Sequence, residues 1–152
     1  MPISESLRAL RKSERHPGNA GLVLEFAPYG LSRIHLSGSD VDCPAPLAIF
    51  LALVVHELTT NAVKYGALSS PDGRIDIGWT DVAGHLTLEW IESGGPEPTA
   101  PTREGFGTKL LQSGALQFQG LVDCCFERTG LRCRLSLFVP QYPKREIVDL
   151  AP

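Results

Sequence analysis

Three polar residues recur at helical spacing in the middle of the chain. Glu57, Asn61 and Lys64 stand at positions i, i+4 and i+7, so a helix would place them on one face with Tyr65 at its border. A carboxylate and an amide supply the oxygen ligands that Mg²⁺ prefers, and an ammonium group can neutralise phosphate charge. The alternative is a solvated face whose three side chains hydrogen-bond to one another. The spacing alone leaves both interpretations open.

Two glycine-bearing segments further along the chain could also contact a ligand. In residues 90–96 (WIESGGP), Glu92 could accept a hydrogen bond from an exocyclic amine while Gly94 and Gly95 let a ring approach the backbone; the alternative is a plain hairpin exit. In residues 105–111 (GFGTKLL), glycines precede a candidate helix whose first N–H groups could bind an anion. This segment has neither the Walker spacing nor a Rossmann fingerprint, and a lone G-x-G is common in loops.

These residues depend on the elements that position them. Pro46 and Gly66 fit the start and stop of a helix over 47–65, and its first half (LAIFLALVV, 47–55) has no polar residue, which predicts burial on all sides. Leu58 and Ala62 should pack inward. Alternating patterns predict strands that pair into two hairpins, and a second helix should follow a loop at 93–105. The strands are expected at 33–37, 74–79, 85–91, 121–127 and 131–139, and the second helix at 108–118.

The order of elements is strand, helix, hairpin, loop, helix, hairpin, and an apolar segment at 22–29 precedes it. Strands and helices do not alternate strictly, which favours an α+β fold. We expect a two-layer sandwich in which a mixed, mostly antiparallel sheet is covered by helices on one face. The 152 residues suit one domain, at 20–140, after a linker or remnant at 1–19 and before a tail at 141–152.

Composition excludes several classes of protein. The net charge of −3 provides no broad basic field for nucleic acid or anionic lipid. No apolar run reaches the length of a membrane span, and the first residues lack the apolar stretch of a signal peptide, so we expect a cytoplasmic protein without membrane contact. The four cysteines have no zinc-site spacing and are expected to be reduced thiols. They are Cys43, Cys124, Cys125 and Cys133.

Taken in order, the three segments resemble the motifs of the HWE family of histidine kinases. Residues 56–69 (HELTTNAVKYGALS) resemble its N box, and Trp90-x-Glu92 followed by two glycines resembles the W-x-E motif that stands in place of D-x-G-x-G. Residues 105–111 resemble the G2 box. The resemblance covers residues 20–140 and implies the Bergerat-type ATP-binding fold, which gyrase, Hsp90, histidine kinases and MutL share.

The resemblance also implies roles for individual residues. Asn61 would ligate the magnesium that bridges the ATP phosphates, and Glu57 beside it would orient metal-bound water or act as a base. Lys64 would contact phosphate, Tyr65 would border the nucleotide, and Glu92 would take the adenine-binding place. The remaining nucleotide-binding residues would be Gly94, Gly95, Gly105, Phe106, Gly107, Thr108, Lys109 and Leu110. His56 and Trp90 stand at positions that define the family. Helical geometry turns His56 away from the stripe, so we expect it to be structural or to support the residues that touch the ligand. Trp90 alternates with Ile91 on its strand and is expected in the core.

One part of the family pattern is missing from the sequence. The phospho-accepting histidine of the family stands in an H-R-x-x-N context, whereas His16 is followed by Pro-Gly-Asn and His35 and His85 fall in predicted strands. The resemblance therefore implies a monomeric domain that binds Mg-ATP and phosphorylates a histidine on a separate dimerisation domain, upstream of a response regulator. The alternatives are a regulatory module of the same superfamily, such as an anti-sigma-factor-like serine kinase, and an ATPase.

Overall fold

A computed structural model describes residues 31–39, 41, 43–99 and 106–139 of the chain. The predicted linker at 1–19, the apolar segment at 22–29, the tail at 141–152 and Gly105 lie outside the described residues. The expected bounds of the domain therefore stay predictions.

Five strands and two α-helices make up the described fold. The strands are β1 (Ile34–Gly38), β2 (Arg74–Val82), β3 (His85–Ser93), β4 (Leu121–Glu127) and β5 (Gly130–Phe138), and the helices are α1 (Ala45–Lys64) and α2 (Phe106–Gln117). Each strand and helix predicted within this part of the chain is present. Helix α2 begins two residues earlier than predicted, so Gly107 lies within its first turn instead of before it.

The strands form one sheet in the order β1-β2-β3-β5-β4. Strand β1 is parallel to β2, and the other three pairs are antiparallel. The β2–β3 hairpin turns at Ala83 and Gly84, both with positive φ, which is the backbone of a type I′ turn. The sheet confirms the predicted mixed, mostly antiparallel arrangement.

The core lies between one face of this sheet and the two helices. Alternate side chains of β2, β3 and β5 are buried, as a half-covered sheet requires. On the other face, Arg134 of β5 forms an ion pair with Glu89 of β3. Helix α2 is held against α1 because the Phe50 ring stacks on Phe118, 5.5 Å between ring centres, and covers Gly114, where a Cβ atom would overlap it. The two-layer sandwich is therefore confirmed.

The first half of α1 departs from its predicted burial. Leu47, Phe50 and Val54 are buried, whereas the side chains of Ile49 and Leu53 are 64% and 44% exposed. The prediction of burial on all sides was wrong because a helix that packs on a single sheet covers only the face it turns toward that sheet. Helix α1 is long and apolar enough to cross a membrane by length and composition, but it supplies a large share of this core.

The prediction that all cysteines are reduced was wrong for one pair. Cys124 of β4 and Cys133 of β5 lie directly opposite each other, with Cα atoms 4.1 Å apart, and form a disulfide. Cys43, which is half-buried, and Cys125, which is exposed, take no part in this disulfide. The spacing of Cys124 and Cys133 in the sequence did not indicate this pairing, because it depends on the register of the β4–β5 hairpin.

Candidate functional site

The second half of α1 presents the predicted polar stripe to solvent. Asn61, Lys64 and Tyr65 are exposed and Glu57 is half-buried, while Leu58 and Ala62 are buried as predicted. Among the described residues, no hydrogen bond or ion pair involves the side chains of the stripe. The alternative of a ladder of hydrogen bonds along the helix is therefore not formed among the described residues.

The first turn of α2 lies against this stripe. A Cβ atom at Gly107 would stand only 2.7 Å from Oε2 of Glu57, so the glycine allows the carboxylate to approach the helix start. Lys109 is exposed and Leu110 half-buried, while the side chains of Phe106 and Thr108 lie outside the described residues. The structure thus brings together two segments that are 50 residues apart in the sequence, Glu57 and Gly107.

The carboxylate of Glu92 is buried at the end of β3. Its side chain is 3% exposed, and both of its oxygens accept hydrogen bonds from the protein. Oε2 accepts from the backbone N–H of Ala67 at 2.7 Å, and Oε1 accepts from the indole N–H of Trp90 at 3.0 Å. Residues two apart on a strand share a face, which is why Trp90 and Glu92 meet. Trp90 is fully buried, as predicted for a core residue.

The surroundings of Glu92 act on its pKa in opposite directions. Burial disfavours the charged form and is the largest influence, whereas the donors from Ala67 and Trp90 favour it. The net result is a pKa raised above the ordinary value of 4.5. The carboxyl group is therefore held in place by two donors at the cost of burying its charge.

Glycines lie in and around the turn that follows α1. This turn comprises residues 66–73 and is called the α1–β2 turn below. A Cβ atom at Gly66 would overlap the Glu92 carboxylate, and one at Gly95 would stand 2.7 Å from Cα of Ala67. At Gly94, whose φ is +70°, it would stand 2.6 Å from the carbonyl oxygen of Asp72. The two glycines after Glu92 therefore serve to seat the end of β3 against this turn.

Sequence reasoning missed one residue that contacts the same turn. Arg33 donates from Nε to the carbonyl oxygen of Gly73 at 2.8 Å and from a terminal nitrogen to that of Ala67 at 3.1 Å. The same nitrogen also donates to the carbonyl oxygen of Ser70. No local signal identifies Arg33, because its partners lie 34 to 40 residues away.

The site offers few oxygen ligands for a hard cation. Glu57 and Asn61 lie one helical turn apart beside the start of α2, and they offer at most two protein ligands. No group of three or more His, Cys, Asp or Glu side chains converges within the described residues. This suits an ion such as Mg²⁺, which keeps several waters and shares phosphate oxygens, and does not suit a structural zinc site.

Some features of the described surface lie away from this site. Two depressions, of about 280 and 340 Å³, are lined by strand residues that include His85, Phe138, Trp79 and Glu89, and neither contains a predicted site residue. His56 is exposed on α1, and its predicted structural role stays a prediction.

Sequence comparison relates the chain to longer proteins. No protein-family model matches it. It is 38% identical over 113 residues to blue-light-activated histidine kinase 1 of Erythrobacter litoralis, covering 72% of this chain and 31% of that protein. It is 40% identical over 148 residues to the blue-light-activated histidine kinase of Brucella abortus, covering 85% and 30%. The chain therefore spans about a third of the length of these curated relatives.

Solved structures share the fold. The histidine kinase domain of the Erythrobacter litoralis blue-light-activated histidine kinase superposes with a TM-score of 0.65 at 16% identity, covering 80% of this chain and 58% of that one. The catalytic domain of histidine kinase ThkA gives a TM-score of 0.55 at 14% identity, covering 93% and 97%. The sequence relatives place the chain among the histidine kinases, and the solved structures show that it has the fold of a histidine kinase catalytic domain.

Proposed function

We propose that this chain is the ATP-binding catalytic domain of a two-component sensor histidine kinase. It binds Mg-ATP and positions the γ-phosphate for transfer to a histidine on a separate dimerisation domain. The observation that carries the proposal is the convergence of three segments at one end of α1: the exposed polar stripe, the first turn of α2, and the Glu92–Gly95 segment seated against the α1–β2 turn.

The phosphate end of the site is formed by α1 and α2. Phosphoryl transfer needs positioning and charge neutralisation more than covalent help from the protein. Lys64 and the free N–H groups in the first turn of α2, near Gly107, bind the phosphate oxygens. Asn61, with Glu57 beside it, holds the magnesium ion. When bound, that ion offsets part of the phosphate charge.

The base end of the site is formed by the end of β3 and the α1–β2 turn. Gly94 and Gly95 let the end of β3 pack against the turn, where we place the base. We assign Tyr65, at the end of α1, to the border of the base. Glu92 already accepts two protein donors, and each carboxylate oxygen can accept a second hydrogen bond. We therefore assign the adenine-binding role to Glu92, whose oxygens can each accept this second hydrogen bond. The two protein donors already hold the carboxylate in position before the nucleotide binds.

The histidine that receives the phosphate is expected outside these residues. His35 and His85 lie in strands, where His35 is 3.4 Å from Asp76 and His85 meets the Phe138 ring edge-on. The partner that we propose is a histidine-bearing dimerisation domain, followed by a response regulator. We further propose that the domain acts in the cytoplasm and is monomeric by itself.

Calorimetric titration of the chain with a non-hydrolysable ATP analogue tests the proposal. We expect binding that weakens strongly when magnesium is withheld. Adding a histidine-bearing domain and γ-labelled ATP should then give acid-labile labelling of a histidine. Absence of nucleotide binding with magnesium present would exclude the kinase role, and labelling of a serine on a partner would favour the regulatory alternative.

A further inference from the structure

We propose that Arg33 is a positioning residue for nucleotide binding. It fixes the α1–β2 turn on the side opposite Glu92, so that the base end of the site is formed before the nucleotide arrives. This inference rests on the proposed nucleotide binding and goes beyond it, because the hydrogen bonds of Arg33 to described residues all go to the α1–β2 turn and not to the polar stripe or to α2.

The contacts of Arg33 are specific to a guanidinium group. Its side chain is half-buried and donates to three carbonyl oxygens of one turn, those of Ala67, Ser70 and Gly73. A planar group with five donors can serve several acceptors at fixed angles, whereas an ammonium cannot match this geometry. Hydrogen bonds from a charged donor are also the stronger ones.

Strand β1 explains why Arg33 reaches this turn. The parallel register pairs Ile34 with Ile75, so the residue before β1 lies level with the start of β2. The turn ends at Gly73, just before β2. The parallel pairing of β1 with β2, the only parallel pair in the described sheet, therefore places the Arg33 guanidinium beside the turn.

Ala67 is held from both sides. Its N–H donates to the buried Glu92 carboxylate, and its carbonyl oxygen accepts from Arg33. A Cβ atom at Gly73 would overlap that carbonyl, and one at Gly95 would press on the Ala67 Cα. The backbone at Ala67 consequently has little room for another position while both partners are present.

Loss of Arg33 should affect one end of the site more than the other. The α1–β2 turn supports Gly95 and follows Tyr65, which are base-end residues of the proposed site. Asn61 and Gly107 are held instead by α1 and by its packing on α2. Releasing the turn should therefore weaken binding of ADP and ATP equally, because the γ-phosphate is not involved, and should leave the rate at saturating nucleotide unchanged.

The test compares Arg33→Ala, Arg33→Lys and the control Arg132→Ala. Arg132 is exposed on the side of β5 opposite to the buried Cys133, and its ion-pair partner is Glu127, at 4.0 Å. We expect the dissociation constants for Mg-ATP and Mg-ADP to rise about tenfold in Arg33→Ala, by the same factor for both, through lost preorganisation. Arg33→Lys should be intermediate, Arg132→Ala unchanged, and phosphotransfer at saturating ATP within about twofold of the parent chain.

Three outcomes would overturn the inference. Unchanged affinities in Arg33→Ala with a lowered melting temperature would mean a purely structural role. A lowered saturated rate with unchanged affinity would place Arg33 at the phosphate end. If Arg33→Ala does not fold, parent-like affinities in Arg33→Lys would contradict the guanidinium argument. Absence of binding by the parent chain is a different result, which removes the proposed function itself.

Discussion

The α1–β2 turn and the polar stripe of α1 adjoin each other but are built on opposite principles. In the turn, the backbone groups of Ala67 are bound by Arg33 and Glu92, and glycines bring the neighbouring segments into contact. Along the stripe, the side chains of Asn61 and Lys64 make no hydrogen bond or ion pair with any described residue. One region has its polar groups satisfied by the protein, and the other presents them to solvent.

This difference indicates that the turn and the stripe have different roles in the proposed site. Groups that must be rigid are buried and paired, because an unpaired buried polar group is costly. The groups that we propose to bind phosphate and metal are exposed, where a ligand could replace their hydration. Substitutions in the turn should therefore change stability, and substitutions in the stripe should change activity with little effect on folding.

The largest expected effect is on the stripe. Asn61→Ala or Asn61→Asp should reduce phosphotransfer to an added histidine domain by at least about 100-fold, because the magnesium ligand is misplaced or lost. The melting temperature should hardly change, since exposed substitutions usually stay within about 0.5 kcal/mol. Radiolabel transfer and calorimetry measure both quantities, with Gln117→Ala, at the exposed end of α2, as the control. Substantial unfolding of Asn61→Ala would contradict the proposal that the turn determines stability and the stripe determines activity.

A large loss of stability is expected on the turn side. Trp90→Phe removes the indole donor and leaves Oε1 of Glu92 unpaired in the core, which should cost about 1–3 kcal/mol in the free energy of unfolding. The matched control is Trp79→Phe, because the Trp79 indole also donates a hydrogen bond, to the Ser39 carbonyl, but at an exposed position. Urea titration should show the larger loss for Trp90→Phe, and equal losses would argue against a special role for the buried pair.

The contact between Gly107 and Glu57 should show coupling. Gly107→Ala places a Cβ atom against the Glu57 carboxylate, so we expect about a tenfold weaker affinity for Mg-ATP. Adding Glu57→Ala removes the obstacle, and the affinity of the double variant should match that of Glu57→Ala alone. Gly78→Ala is the control, since its Cβ atom would lie 3.3 Å from Ser37 Oγ. Additive effects of the two substitutions would mean that Gly107 acts through its backbone instead.

The buried carboxyl group of Glu92 should make the stability of the turn depend on pH. Because the folded-state pKa of Glu92 is raised, its proton is bound more tightly in the folded chain than in the unfolded one. Its contribution to stability is therefore complete below the ordinary value of 4.5 and is lost as the pH rises through the raised pKa. Melting temperatures measured from pH 4 upward, in about half-unit steps, should show this loss, and Glu92→Gln should lack it. An identical slope in that variant would assign the effect to another group.

The smallest effect is expected outside both regions. Ala83 has a φ of +52° in the β2–β3 turn, a conformation that a Cβ atom disfavours. Ala83→Gly should stabilise the chain by about 0.5–1 kcal/mol without changing nucleotide affinity. Thermal denaturation gives the shift, and calorimetry with Mg-ATP checks the affinity. A changed affinity would show that the hairpin turn is coupled to the site.

The sequence by itself determined the local structure and the composition of the site. Pro46 and Gly66 mark the ends of a helix that the structure places at Ala45–Lys64, and alternation predicts each described strand. Helical spacing places Asn61 and Lys64 on one face. These features are predictable because the periods of helix and strand are encoded within a few neighbouring residues.

Only the tertiary structure decided which distant groups meet. The pairing of Arg33 with the α1–β2 turn, the Ala67 donor on Glu92, the approach of Glu57 to Gly107 and the Cys124–Cys133 disulfide depend on strand order, strand register and helix packing. The exposure of Ile49 and Leu53 depends on how many layers cover α1. Such contacts join residues that are far apart in the chain or in different strands, so no local pattern encodes them.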